Sequence, residues 1–168
     1  LAAVGPDRLL IGAPRDDSGA GDAGAAYLYH LPPPASDTHY VNIANPSPVA
    51  PYTNWATAAT NIQDAVDAAC PGDSVLVADG VYTGGAVSVE GFITNRVAVK
   101  KGVLVRSLNG PCSTIIDGQN AVRCVYLEED AALSGFTLTR GATGTNSGFA
   151  VGGGVYGGTV SNCVLSAN

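Results

Sequence analysis

The segment Leu133-Ser-Gly-Phe-Thr-Leu-Thr returns, with its apolar and hydroxyl positions in step, as Val160-Ser-Asn-Cys-Val-Leu-Ser. A short strand that recurs constrains a chain strongly, because one such unit cannot bury its apolar side alone and must stack on its neighbours. Closer pairs precede it: Val103-Leu-Val-Arg-Ser foreshadows Cys124-Val-Tyr-Leu-Glu, and Thr114-Ile-Ile-Asp foreshadows Gly135-Phe-Thr-Leu. From Val75 onward the sequence reads as short β runs broken at Asp79-Gly, Asn109-Gly-Pro, Asp117-Gly, Gly141 and Gly152-Gly-Gly. Three similar triplets end in Tyr82, Tyr126 and Tyr156, which places those rings at equivalent positions for aromatic stacking.

Composition agrees with a chain of many short strands. Charged residues are 13%, below the quarter usual in globular domains, while 22 Gly and 10 Pro break the chain into short runs. The 168 residues suffice for one sizeable core and a small appendage. A net charge of −6, with lysine only at Lys100 and Lys101, argues against nucleic acid as a partner. No apolar stretch approaches the ~20 residues of a membrane-spanning helix.

Three zones are expected. Residues 1–31 read as strand, Gly-rich turn and strand, and residues 32–51 as a Pro-rich linker or irregular lead-in, with Leu31-Pro-Pro-Pro and Pro46, Pro48 and Pro51 excluding helix. The third zone, 52–168, opens with a helix capped by Asn54 or Thr57. Ala58, Ile62, Ala65, Val66 and Ala69 share its apolar face, Asn61, Gln63, Asp64 and Asp67 its polar face, and Pro71-Gly72 ends it.

Two resemblances follow from these motifs. Asp7-Arg-Leu-Leu-Ile-Gly-Ala-Pro followed by Ala25-Ala-Tyr-Leu-Tyr resembles a partial FG-GAP repeat, the blade unit of integrin-type β-propellers. Trp55-Ala-Thr-Ala-Ala-Thr-Asn-Ile-Gln-Asp-Ala-Val-Asp, then Gly72-Asp-Ser-Val-Leu-Val, Asp79-Gly-Val-Tyr, Thr114-Ile-Ile-Asp-Gly and Leu133-Ser-Gly-Phe-Thr-Leu, resemble the start of the pectin-lyase-like superfamily. The implied fold class is all-β: a right-handed parallel β-helix, or solenoid, with an N-terminal capping α-helix.

The FG-GAP resemblance implies a Ca²⁺ loop, but only Asp7 stands where several carboxylates belong; Asp16, Asp17 and Asp22 form a second acidic group that reads first as a solvated turn. Ca²⁺ is the only cofactor these residues suit, and none is expected. The pectin-lyase-like resemblance implies a base and Ca²⁺-binding carboxylates. Arg106, Arg123 or Arg140 could be the base, and Asp117, Glu128, Glu129 and Asp130 the ligands, although each has a structural reading as turn, corner or ion-pair partner. Thr143, Thr145, Asn146 and Ser147, in a Gly-rich insertion, are the candidates for hydrogen bonding a glycan. His30 and His39 lie in the linker neighbourhood and offer no His-centred catalysis. Cys70 and Cys112, next to Pro in turns, are the better disulfide pair, while Cys124 and Cys163 sit in β runs where cysteine packs as a small hydrophobe.

The expected function is an extracellular scaffold or adhesin-like segment of a modular bacterial surface protein, secreted or on the cell surface, with an extracellular polysaccharide or surface glycan as partner. The alternative is a polysaccharide lyase or glycoside hydrolase whose catalytic coils lie beyond Asn168. The opening at Leu1 and the close within a repeat read as a fragment, whose C-terminal edge further coils or another subunit would cover.

Overall fold

A computed structural model of the chain describes residues 2–3, 8–13, 25–30, 36–89, 93–144 and 151–168. The chain divides into two compact units, Leu1–Ala35 and Ser36–Asn168. The first is an antiparallel sheet of β1 (Ala2–Ala3), β2 (Arg8–Ala13) and β3 (Ala25–His30) in that order. Arg8 pairs with His30 and Ala13 with Ala25, a hairpin register in which Tyr27, Leu28 and Tyr29 are exposed. Asp7, Asp16, Asp17 and Asp22 fall outside the described residues.

The second unit begins inside the stretch expected as linker. β4 (Thr38–Val41) pairs in parallel with β5 (Ser74–Val77), so the stretch expected as linker contributes a strand to a sheet, followed by a loop over 42–52. A short 3-10 turn at Trp55–Thr57, capped by Asn54, leads to α1 (Ile62–Ala68), which Asn61 caps by accepting the Gln63 N–H. Asn54 therefore caps the turn and the helix starts later than expected, because Ala58 and Ala59 remain extended to pair against β4, where Val41 bridges Ala59.

The remaining strands are β6 (Gly80–Tyr82), β7 (Val87–Val89), β8 (Ile93–Val99), β9 (Leu104–Ser107), β10 (Thr114–Asp117), β11 (Arg123–Leu127), β12 (Ala132–Ser134), β13 (Thr137–Thr139), β14 (Val155–Tyr156), β15 (Thr159–Ser161) and β16 (Val164–Ser166). They form three sheets: β4-β5-β9-β12-β15, β6-β10-β13-β16 and β7-β8-β11-β14. Pairing is parallel throughout except between β7 and β8. The near-repeated residues meet in register: Leu133 pairs with Val160, Leu138 with Leu165 and Thr139 with Ser166. Of the tighter pairs, Thr114–Asp117 does lie beside the segment at Phe136–Thr139, one residue out of the expected register, with Ile116 opposite Leu138, whereas Val105 lies between Val75 and Leu133 rather than beside Val125.

These findings correct the expected class. The fold is mixed α/β, with four sheets of mostly parallel strands and one α-helix among the described residues, and is not an all-β right-handed parallel β-helix or solenoid. Nor is α1 a cap laid over a finished stack. Ile62, Ala65 and Val66 belong to the same buried cluster as Val75, Val97, Val105, Ile116, Leu133 and Phe136. Gln63, expected on the solvent face, is buried, and its amide donates to the Ala98 carbonyl (3.1 Å) while accepting the Ala98 N–H (2.7 Å). A helical side chain thus completes the backbone bonding of β8 as a neighbouring strand would.

Because the helix shares the core, a charge on its inner face should disrupt the whole unit. Ile62→Asp would bury an unpaired carboxylate and should cost about 4 kcal/mol, lowering Tm by roughly 10 °C. A melting curve unchanged by this substitution would show that α1 contributes little to the core.

Candidate functional site

The sequence candidates Arg106, Asp117 and Arg123 lie on three different sheets, at β9, β10 and β11. Arg106 is exposed, paired in register between Leu76 and Ser134. Asp117 and Arg123 are buried, each in its own network. The three form no common site.

Asp117 ends β10 where the chain turns through Gly118, Gln119 and Asn120. Its Oδ1 accepts the Gln119 N–H at 2.8 Å, a side-chain-to-backbone turn that holds Gln119 and Asn120 in left-handed conformations. Gly118 leaves no room for a side chain, since a Cβ would collide with the Val122 and Arg140 carbonyls. Arg140 closes on the same carboxylate from the end of β13, donating from Nε to Oδ1 (3.0 Å) and from Nη2 to Oδ2. Arg96, mid-strand in β8, donates from Nε to the Asp117 carbonyl (2.9 Å), from Nη1 to the Gly85 carbonyl (2.9 Å) and from Nη2 to Gln119 Oε1 (2.8 Å). The Arg140 guanidinium, above all, holds the Asp117 carboxyl below the usual carboxylate range, with help from the Gln119 N–H and against the cost of burial.

Arg123 is almost fully buried and faces no carboxylate among the described residues. Its Nε donates to the Gly152 carbonyl (2.9 Å), Nη2 to the Val151 carbonyl (2.8 Å) and Nη1 to Asn95 Oδ1 (3.1 Å). Burial lowers its pKa, and the guanidinium carbon lies 5.0 Å from the Tyr156 ring centre, a cation–π contact. Tyr156, about half exposed, stacks on Tyr126 with ring centres 5.9 Å apart, and the Tyr126 hydroxyl donates to Glu128 at 3.2 Å. Tyr82 is buried on another sheet and takes no part in this stack. Glu129 and Asp130 are exposed beside Glu128.

Of the glycan candidates, Thr143 is partly buried, while Thr145, Asn146 and Ser147 fall outside the described residues. The expected Cys70–Cys112 bridge is not formed: both thiols are free and exposed, as residues in separate surface turns. Cys124 is buried and donates to the Thr139 carbonyl at 3.3 Å, with burial pushing its thiol pKa up to about 11, which keeps it an unreactive packing group. No cluster of three His, Cys, Asp or Glu side chains able to hold a metal occurs among the described residues.

Sequence reasoning passed over Asn95 and Arg96. The signal was two adjacent polar residues inside the apolar run Ile93 to Val99, which a buried strand tolerates only when their bonds are satisfied. It also left His39 in a linker, whereas the side chain is buried on β4. Compared with known proteins, the chain matches no family model, no curated protein and no solved structure.

The Asp117 network makes a signed pH prediction. A carboxylate with a depressed folded pKa contributes stability above its unfolded value, and that contribution is lost as pH falls through the folded value. Asp117→Asn should therefore be clearly less stable than wild type in urea at pH 7, with the gap closing only below about pH 4. A gap of equal size at pH 7 and pH 2.5 would show that charge plays no part.

Proposed function

We propose that this chain is a non-catalytic scaffold segment of a modular bacterial protein, secreted or displayed at the cell surface, which offers one exposed face to a polysaccharide. The observation that carries this reading is the use made of the buried charges. Arg96 and Arg123 direct their donors at backbone carbonyls and side-chain amides of the connecting turns, and Asp117 is occupied by Arg140. Groups committed to fixing turns are poorly placed to abstract a proton from a sugar acid, a step that needs a base and a charge-stabilising cation in one place.

The face best suited to a saccharide carries the Tyr126–Tyr156 stack, because a half-exposed ring offers an apolar surface to the C–H side of a pyranose, with Glu128 beside it as acceptor. The strand-turn-strand resemblance of residues 1–31 to an FG-GAP repeat supports the modular reading. Low charge density and the lack of a helix long and apolar enough to cross a membrane, among the described residues, are compatible with it.

Two measurements test the proposal. An ultraviolet assay for unsaturated uronate ends on pectate, alginate and chondroitin, with and without Ca²⁺, should stay flat. Turnover that disappears in Arg106→Ala, Arg123→Ala or Asp117→Asn would replace the scaffold reading with a lyase. In affinity electrophoresis, retardation by at least one of these polysaccharides should weaken about tenfold in Tyr156→Ala, the loss of one stacking contact of about 1.4 kcal/mol. Retardation unchanged by the substitution would move the binding face elsewhere.

A further inference from the structure

β4 carries His39 into the interior, where the side chain is 3% exposed. Its two ring nitrogens both face oxygen: Nδ1 lies 2.6 Å from the Pro51 carbonyl and Nε2 lies 3.1 Å from Asp73 Oδ2. A carbonyl can only accept. The Asp73 carboxylate is also an acceptor here, since it already takes the backbone N–H of Cys70 at 2.7 Å and of Asp37 at 2.8 Å. The Cys70 N–H foremost holds the Asp73 carboxyl below the usual carboxylate range, keeping it ionised at neutral pH. Both ring nitrogens must donate for both bonds to form, and only the imidazolium carries two N–H groups; the neutral ring can make one of the two.

The oxygens so joined come from separate parts of the chain. Pro51 ends the loop that returns from β4, and Asp73 lies in the turn between α1 and β5. The start and middle of that loop are held by the Asn42 N–H to the Ala59 carbonyl (2.8 Å), the Asn45 amide to the Ala58 carbonyl (2.5 Å) and the Val49 N–H to the Thr57 carbonyl (3.0 Å), while its far end is joined to β4 by the Tyr40 N–H to the Tyr52 carbonyl (2.7 Å) and by His39. The other titratable groups on the surrounding elements are Asp37 and Tyr40 on its own strand, Tyr52 in the loop, Cys70 in the turn and Lys101, whose Nζ donates to the Ala69 carbonyl beside that turn, while Asp64 and Asp67 on α1 are exposed. Asp73 is the only one of these in ion-pair contact with the ring.

We propose that His39 is a pH-operated clasp: as the imidazolium it ties β4 to both the Pro51 loop and the Asp73 turn, and on losing its proton it keeps its one N–H on the charged Asp73 carboxylate, releases the Pro51 carbonyl and loosens that end of the loop. The doubly bonded state requires the proton, so it is lost when the ring gives that proton up. Asp73, with its depressed pKa, stays charged as the ring does so and does not itself reverse the effect.

Trp55 provides the readout. It is the only tryptophan and packs edge-on against Tyr40, with ring centres 4.7 Å apart, next to the clasp in sequence and in space. On the intact chain, imidazole ¹⁵N shifts and Trp55 emission are followed from about pH 5 to 8.5, the span of histidine titration. Both His39 nitrogens should carry protons at the acid end. One nitrogen should lose its proton as pH rises, with an emission change at the same midpoint and a several-fold fall in exchange protection of the Tyr40 amide, corrected for intrinsic rates. His39→Gln should abolish the emission transition, whereas His30→Gln, at the only other histidine, should keep it. A His39 ring that holds one proton throughout, one that holds two throughout, or a transition that survives His39→Gln overturns the clasp. Should His39→Gln fail to fold, the wild-type ¹⁵N titration decides alone.

Discussion

Strands of two to seven residues hold a sheet only through the strands on either side, and this shortness governs the second unit. Each strand offers a few ladder bonds and one or two inward side chains, so stability depends on equivalent positions falling one beside another. The rows Val75, Val105, Leu133, Val160 and Tyr82, Ile116, Leu138, Leu165 show the result: apolar side chains from four strands, each contributing to one column. A slip of one residue in any strand would turn its column outward.

Such columns leave the connecting turns as the weak points, and two buried arginines and a partly exposed lysine secure them. Arg96 gathers the Gly85 carbonyl, the Asp117 carbonyl and the Gln119 amide; Arg123 gathers Val151, Gly152 and Asn95; Lys101 reaches back to the carbonyls at the end of α1. Burying a guanidinium is costly unless its donors are used, and here they are matched to carbonyls of the turns and to the Asn95 and Gln119 side chains. The same arrangement keeps Asp117, Arg96 and Arg123 engaged with the turns rather than with one another in a shared cleft. Their hydrogen bonds go to backbone carbonyls and to the side chains of Gln119, Asn95 and Arg140, and the surface beside them carries the stacked tyrosines and the acidic corner at Glu128–Asp130.

Local pattern carried a good deal of this. The apolar runs, the turn signals and the pairing of Leu133 with Val160 were readable because register is set by residues that alternate in and out. Fold class was not, because the helix signal at 62–68 gives no hint that Gln63 would bond the edge of β8 and merge the helix with the strands in one core. β4 was hidden by the prolines around it, which exclude helix but permit a short parallel strand between them. The separation of three site candidates in space has a different reason. Arg106, Asp117 and Arg123 are close in sequence, but successive strands go to different sheets, so sequence proximity separates them in space. The residues that do converge, Arg96, Asp117 and Arg140, come from β8, β10 and the end of β13.

The central claim, that arginine-fastened turns and the α1-bearing core form one cooperative unit, is tested most directly by native-state hydrogen exchange resolved to individual segments. The expected result is a single slow class shared by α1, β5, β8, β10 and β11, with the turn at Gly118–Asn120 exchanging as slowly as the strands it joins. If the segment from Thr114 to Leu127 instead opened on its own, with a free energy well below that of α1 and β5, the buried arginines would not be what binds the turns to the core.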